Sequence, residues 1–100
     1  MDEATVHEAA ETHARATVER DYGTAGSYLS PEMQAAAGDV MKEMPRPLTV
    51  SEVLNVETTD EGATAEIRYS GDAGATTVLS TWADIGGKPT IVGLDVVEKT

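Results

Sequence analysis

Small and apolar residues recur at helical spacing in the first part of the chain. Residues 3–20 contain no Gly or Pro, and steps of about 100° per residue gather the small and apolar side chains on one face. That face consists of Val6, Ala9, Ala10, His13, Ala16 and Thr17. We therefore predict a first helix whose buried face is made of small residues, so that neighbouring elements can approach it closely.

Two further helices are predicted before the chain reaches its strands. Asp21 is a residue type that caps helix N-termini, and a short second helix is expected after it. Ser30 followed by Pro31 predicts the start of a third helix, with Ser as N-cap and Pro at the first helical position. This helix is expected to run to about Glu43, because Pro45 cannot continue the helical hydrogen bonding.

After these prolines the apolar residues change from helical spacing to alternation. Residues 48–56 predict a strand interrupted by a bulge. Residues 63–69 predict a strand with one buried face, made of Ala63, Ala65, Ile67 and Tyr69. Residues 76–97 predict a long hairpin, because two runs of β-branched residues flank a Gly-Gly turn. The whole chain, residues 1–100, is thus predicted to be a single α+β domain with three N-terminal helices packed on a curved four-stranded antiparallel sheet.

The hairpin presents two apolar faces. With a two-residue turn at residues 86 and 87, Trp82 pairs with Ile91 and Val78 pairs with Asp95. One face then carries Val78, Ser80, Trp82, Ile91, Gly93, Asp95 and Val97, and the other carries Thr77, Leu79, Thr81, Ala83, Val92, Leu94 and Val96. Because the helices cover only one face, the other is expected to be a cavity wall or a subunit interface.

Two assignments of these faces are open. In the first, the face with Leu79 packs beneath the helices and the face with Trp82 meets a second subunit. In the reverse assignment, Trp82, Ser80 and Asp95 line a mixed polar and apolar cavity with His13 and a tyrosine, as ligand sites prefer. We favour the first, because small domains gain buried surface by dimerising. A homodimer through the sheet face is therefore predicted, and the residues of the predicted pocket or dimer face are Trp82, Ser80, Asp95, Ile91 and Val78.

The charge of the chain narrows the classes of partner. Its 18 acidic and 7 basic residues give a net charge of −11, which repels nucleic-acid phosphates and anionic membrane surfaces. No apolar run is long enough to span a bilayer, and the acidic N-terminus is unlike a signal peptide. We expect a cytoplasmic protein without nucleic-acid or membrane partners; if the chain is part of a longer protein, it is instead exported or membrane-anchored.

Few side chains in the sequence are candidates for metal binding or proton transfer. His7 and His13 lie about 240° apart on the first helix and cannot share a metal ion, so neither a metal site nor a cofactor is predicted. His13 is interpreted as a histidine at the edge of the core with a satisfied hydrogen bond; the alternative is a proton-transfer group that lines a cavity. Asp95 lies in an apolar strand and must be paired, hydrogen-bonded, exposed or shifted in pKa. Tyr22 is a third candidate, as a tyrosine that points into a cavity.

Three stretches of the chain resemble the nuclear transport factor 2-like superfamily of α+β, cystatin-like folds. They are the first helix continuing through residues 19–25, the Tyr-Leu-Ser-Pro-Glu junction at residues 28–32, and the final hairpin with Trp82 and residues 86–92. The resemblance implies a cone-shaped fold of the kind found in ketosteroid isomerase, polyketide-cyclase-like proteins and many binding domains. No catalytic motif of that superfamily matches position by position, and the scarcity of aromatic residues implies a reduced cavity.

Two functions are consistent with these features. The first is a small acidic domain, without assigned catalysis, that binds a small hydrophobic ligand or serves dimerisation and assembly. The alternative is a cofactor-free isomerase, cyclase or dehydratase that acts on a small hydrophobic substrate. It would use Asp95 or His13 as base and a tyrosine as proton donor to the developing oxyanion.

Overall fold

A computed structural model describes all residues, 1–100, and shows three helices followed by four strands. The helices are α1 (Glu3–Val18), α2 (Tyr22–Gly26) and α3 (Met33–Lys42), and the strands are β1 (Leu48–Thr58), β2 (Ala63–Gly71), β3 (Gly74–Ile85) and β4 (Lys88–Lys99). The strands form one antiparallel sheet in the order β1-β2-β3-β4, and the sheet does not close on itself. The predicted α+β class, with helices before a four-stranded meander, is confirmed.

Capping side chains determine where the first two helices begin. The Asp2 carboxylate accepts a hydrogen bond from the Thr5 backbone N–H at 2.7 Å and starts α1. Asp21 caps α2 as predicted, accepting from the Thr24 N–H at 3.2 Å. Between these helices Arg20 adopts a left-handed backbone conformation with φ of 64°, so α1 ends at Val18, earlier than predicted.

The third helix begins later than predicted. The backbone around Ser30 is held against β4, because the Ser30 N–H donates to the Ile91 carbonyl at 3.0 Å and the Ile91 N–H donates to the Tyr28 carbonyl at 2.6 Å. Leu29 therefore forms an isolated parallel bridge with Ile91, and α3 starts only at Met33, with Glu32 as an N-cap that makes no side-chain hydrogen bond. The prediction of Ser30 as N-cap was wrong because this pairing with a distant strand is invisible in local sequence.

The final hairpin has the predicted turn but not the predicted register. Ile85 pairs with Lys88 around a two-residue turn, and Trp82 pairs with Ile91. Two extra residues then bulge out of β4, one between the partners of Trp82 and Thr81 and one between the partners of Val78 and Thr77. Each bulge moves the following residues to the opposite face of the strand.

Asp95 consequently changes face. It lies opposite Leu79, while Val78 pairs with Val96, so the predicted pairing of Val78 with Asp95 was wrong. We call the helix-covered side the inner face; it carries Ile67, Tyr69, Val78, Ser80, Trp82, Ile91, Leu94 and Val96. The other side is the open face; it carries Glu66, Arg68, Thr77, Leu79, Thr81 and Asp95.

The inner face is the core of the protein. Trp82 is 1% exposed; its indole Nε1–H donates to Ser80 Oγ at 2.8 Å, and Ser80 donates to the Ala65 carbonyl at 2.8 Å. Trp82, Ser80, Val78 and Ile91 are thus covered by the helices of their own chain, and the favoured assignment of their face to a subunit interface was wrong. None of the helices is long and apolar enough to cross a bilayer.

Candidate functional site

A cavity of about 190 Å³ lies between the helices and the inner face; we call it the inner cavity. Its sheet wall comprises Tyr69, Val78 and Leu94, and the helices contribute mostly small and apolar side chains. Ala25 and Gly26 on α2 and Ala37 and Gly38 on α3 have little or no side chain, which leaves this space unfilled. For scale, an apolar cavity of about 150 Å³ accommodates benzene. The inner cavity therefore suits a body slightly larger than one six-membered ring.

His13 brings a titratable group to this cavity from the buried stripe of α1. Its Nδ1 lies 3.0 Å from the Ala25 carbonyl oxygen, and because a carbonyl only accepts, Nδ1 carries the proton. Its ring packs edge-on against Tyr28 and Trp82, with centroids 6.0 and 6.2 Å away. The prediction of a buried histidine with a satisfied hydrogen bond is confirmed.

The environment of His13 keeps the imidazole neutral. Burial lowers its pKa below the ordinary value of 6.5 because desolvation disfavours the charged ring, and the bond to Ala25 opposes this shift. Every fully buried side-chain nitrogen or oxygen has a hydrogen-bond partner, so the unpaired Nε2 must retain accessible surface. In the neutral tautomer set by Ala25, Nε2 holds a lone pair that can accept a proton or a hydrogen bond.

Tyr69 supplies a second polar group. Burial raises the pKa of its phenol well above the ordinary value of 10, so the hydroxyl stays protonated. Interaction with the Thr17 hydroxyl opposes this shift, and Thr17 itself donates to the His13 carbonyl at 2.9 Å. Sequence reasoning placed Tyr69 only on the buried side of β2; its alternation with Ile67 could have indicated burial but not cavity lining.

The other predicted site residues are distributed differently. Asp95 is exposed on the open face and cannot reach the inner cavity, because the bulge before it places it opposite Leu79. Its predicted role as base was therefore wrong. Val78 lines the cavity, whereas Trp82, Ser80 and Ile91 form the core beside it and do not. Tyr22 lines the cavity at its outer end although its side chain is 55% exposed.

An open groove of about 690 Å³ lies outside the cavity; we call it the outer groove. It runs between the end of α1, the second half of α3 and the segment that leads into β1. Arg20, Lys42 and Arg46 line it among apolar side chains. Lys42 is paired with Asp39 at 3.8 Å, and neither arginine forms an ion pair.

No three His, Cys, Asp or Glu side chains are close enough to share a metal ion. His7 lies on the exposed side of α1 and pairs with Glu11 at 2.8 Å. The chain matches no known family model, and comparison with curated proteins and solved structures finds no significant similarity. The resemblance to the nuclear transport factor 2-like superfamily therefore stays a prediction.

Proposed function

We propose that the protein is a small-ligand-binding domain whose inner cavity holds a compact apolar body. The observation that carries this proposal is the cavity itself, which is apolar in most of its lining yet has His13 and Tyr69 as polar groups. Binding sites for small molecules combine these two features, since apolar surface gives affinity and a few polar groups set orientation. A volume of about 190 Å³ limits the apolar body to roughly one ring.

A pair of alanines on α3 offers a matched test. Ala37 lines the inner cavity, whereas Ala35 on the same helix is exposed and does not. Binding of cyclohexanone and toluene would be followed by amide NMR shifts. We expect the wild type and Ala35→Leu to bind and Ala37→Leu to lose binding while remaining folded by circular dichroism. No binding by the wild type, or undiminished binding by Ala37→Leu, would refute the proposal.

Catalysis without a cofactor is a second candidate, favoured by the presence of a neutral imidazole and a protonated phenol in one cavity. His13 Nε2 would accept a proton from the carbon beside a substrate carbonyl. The C–H electron pair would form the enolate double bond, and the carbonyl electrons would move to the oxygen, which accepts a hydrogen bond from Tyr69. In a β,γ-unsaturated carbonyl substrate the enolate is extended by the second C=C bond, and the imidazolium would return the proton to the γ-carbon of this dienolate. The C=C bond then lies between the α- and β-carbons and the carbonyl is restored, which completes an isomerisation.

Hydrogen exchange tests this second candidate. The protein would be incubated with cyclohexanone in D₂O, and deuterium incorporation beside the carbonyl measured by NMR. Catalysis predicts exchange faster than in buffer, lost in His13→Gln and retained in His7→Gln, which removes the exposed histidine. Equal rates in the wild type and in buffer would leave the protein a binding domain only.

Assembly through the open face is the remaining part of the proposal. Val92 and Val97, the bulged residues of β4, are exposed and could be buried by a second copy. Leu79, however, lies between Glu66 and Asp95 in neighbouring strands, and a twofold contact would bring these carboxylates together. We therefore propose at most a weak homodimer, which Asp95→Asn should strengthen in sedimentation equilibrium. Identical monomer profiles for both proteins at all concentrations would exclude it.

A further inference from the structure

Positive charge is concentrated in the outer groove of an acidic protein. Arg20, Lys42 and Arg46 are three of the seven basic residues in the chain, and no Asp or Glu lines the groove. The carboxylate of Asp21, next to Arg20 in sequence, caps α2 by accepting from the Thr24 N–H. Asp39 is paired with Lys42, and Glu43, next to Lys42 in sequence, is paired with Lys99.

The outer groove and the inner cavity adjoin. Thr17, Tyr22, Gly38, Met41 and Met44 line both of them. The cations of the groove therefore lie on the other side of these five residues from the cavity. The two spaces together have the polarity of an amphiphile, apolar inside and cationic outside.

Arg20 also has an unusual backbone conformation for an arginine. Its φ of 64° is a left-handed conformation that Gly or Asn adopts most readily after a helix. The Arg20 side chain forms no ion pair in the turn between α1 and α2. It does bring an unpaired guanidinium to the groove.

We propose that the ligand is a carboxylate with a compact apolar body. The body occupies the inner cavity, and the carboxylate lies in the outer groove near Arg20, Lys42 and Arg46, where guanidinium groups can donate paired hydrogen bonds to its oxygens. This inference rests on the proposed binding function. It also opposes the overall electrostatics, because a net charge of −11 by itself favours cationic ligands.

Three ligands of the same shape separate these effects: 3-phenylpropanoate, 3-phenylpropan-1-ol and 3-phenylpropylammonium. Affinities would be measured by calorimetry at low ionic strength. We expect the acid to bind about tenfold more tightly than the alcohol, since exposed ion pairs each contribute modestly. The ammonium ligand should be weakest. The advantage of the acid should shrink between about 0.01 M and about 0.15 M salt.

Matched double variants locate the effect. Arg20→Gln with Arg46→Gln leaves only Lys42 in the groove, so it should remove most of the preference for the acid and leave the affinity for the alcohol unchanged. Arg15→Gln with Arg68→Gln makes the same change in net charge outside the groove and should leave the preference for the acid intact. Ala37→Leu should abolish binding of all the ligands, because the apolar body then has no cavity to occupy.

The possible outcomes distinguish the two proposals. An alcohol that binds as tightly as the acid would overturn the carboxylate inference and leave the binding function standing. Equal losses in the two double variants would also overturn it, since net charge would then explain the preference. Retained binding of the acid by Ala37→Leu would mean that the groove alone takes anions, such as acidic peptides. No binding of any of the three ligands would overturn both proposals.

Discussion

The two faces of the sheet differ in what covers them. On the inner face, Ala65, Ile67 and Trp82 are at most 1% exposed, because α1 lies over β1 and β2 and α3 lies over β4. On the open face, Glu66 and Arg68 alternate with Ala65 and Ile67 along β2 and remain accessible to solvent. Burying a side chain such as that of Ile67 contributes about 1.5–3 kcal/mol, whereas the solvent-accessible positions of the same strand gain little from burial.

Polar groups on the two faces are satisfied in different ways. Thr76 and Ser80 on the inner face donate to the carbonyls of Glu43 and Ala65, at 3.0 and 2.8 Å. Glu66 and Asp95 on the open face make no side-chain hydrogen bond within the protein. A polar group on the inner face therefore needs a specific partner, whereas water suffices on the open face.

The largest effect is expected from truncating the inner face at its largest side chain. Trp82→Ala removes a side chain packed edge-on against Tyr28 and His13 and should lower the free energy of unfolding by about 3–5 kcal/mol. Leu79→Ala on the open face should cost less than half as much, because Leu79 is only half-buried. Urea unfolding measures both.

If Trp82→Ala fails to fold, its free energy of unfolding cannot be measured. Trp82→Phe then takes its place, since it keeps most of the apolar volume while Ser80 retains its hydrogen bond to Ala65. Equal losses for the inner and open positions would contradict the assignment of the faces.

The next largest effect tests the bulges in β4 directly. Val96 pairs with Val78 beneath the helices, whereas Val97 is the bulged residue and is 53% exposed. Val96→Asp should destabilise the protein by about 2 kcal/mol or more, because it brings a carboxylate to the inner face. Val97→Asp adds the same charge and should change stability by about 0.5 kcal/mol or less. Under the register without bulges the order would be reversed, so thermal unfolding of the pair decides between them.

The same bulges mark the limit of what the sequence predicts for the fold. In β2 the alternation is uninterrupted, and the buried side of Ala63, Ala65, Ile67 and Tyr69 was predicted correctly. In β4 each bulged residue is a valine next to another aliphatic residue, as in Ile91–Val92 and Val96–Val97. Because two neighbouring residues are aliphatic at each bulge, either set of alternating residues gives an apolar face. The hydrophobic pattern therefore does not reveal a shift of one residue.

The candidate site was only partly predictable for a related reason. The position of His13 on the small-residue stripe indicated burial, and the Ala25 carbonyl provides the expected hydrogen bond. The convergence of Arg20, Lys42 and Arg46 depends on how α3 and the following segment return toward the end of α1. These residues share no periodic spacing, and no local rule brings them together.

A smaller effect on the free energy of unfolding is expected from pH, because His13 is buried between the helices and the inner face. Its pKa is lowered by burial, so the unfolded chain binds a proton at a higher pH than the folded protein does. Stability should be complete above about pH 6.5 and fall as the pH drops below that value, because protonation then favours the unfolded state.

Urea unfolding at about pH 5 and about pH 7.5 measures this dependence, over a range where most carboxylates stay ionised. His13→Gln should reduce the loss of stability at the lower pH. His7→Gln removes the exposed histidine as a control. If the loss of stability at the lower pH persists in His13→Gln and disappears in His7→Gln, His13 is not the residue responsible for it.

The smallest effect concerns the turn that lets α2 and α3 reach over the inner face. Arg20→Gly should relieve about 1 kcal/mol of left-handed strain, while the freer unfolded chain offsets roughly half of it. The net gain in stability should be roughly 0.5 kcal/mol. Arg15→Gly, the same substitution inside α1, should instead cost about 1 kcal/mol.

Thermal unfolding of both variants measures the difference in stability. Binding of 3-phenylpropanoate to the same variants tests whether the Arg20 guanidinium contributes to ligand affinity. If Arg20 is kept for its charge, Arg20→Gly should gain stability and lose affinity for the carboxylate, whereas Arg15→Gly should lose stability and keep its affinity. A gain in stability with unchanged affinity would show that the left-handed arginine serves neither the turn nor the outer groove. A loss of stability would show instead that the Arg20 side chain itself helps to hold the helices over the inner face.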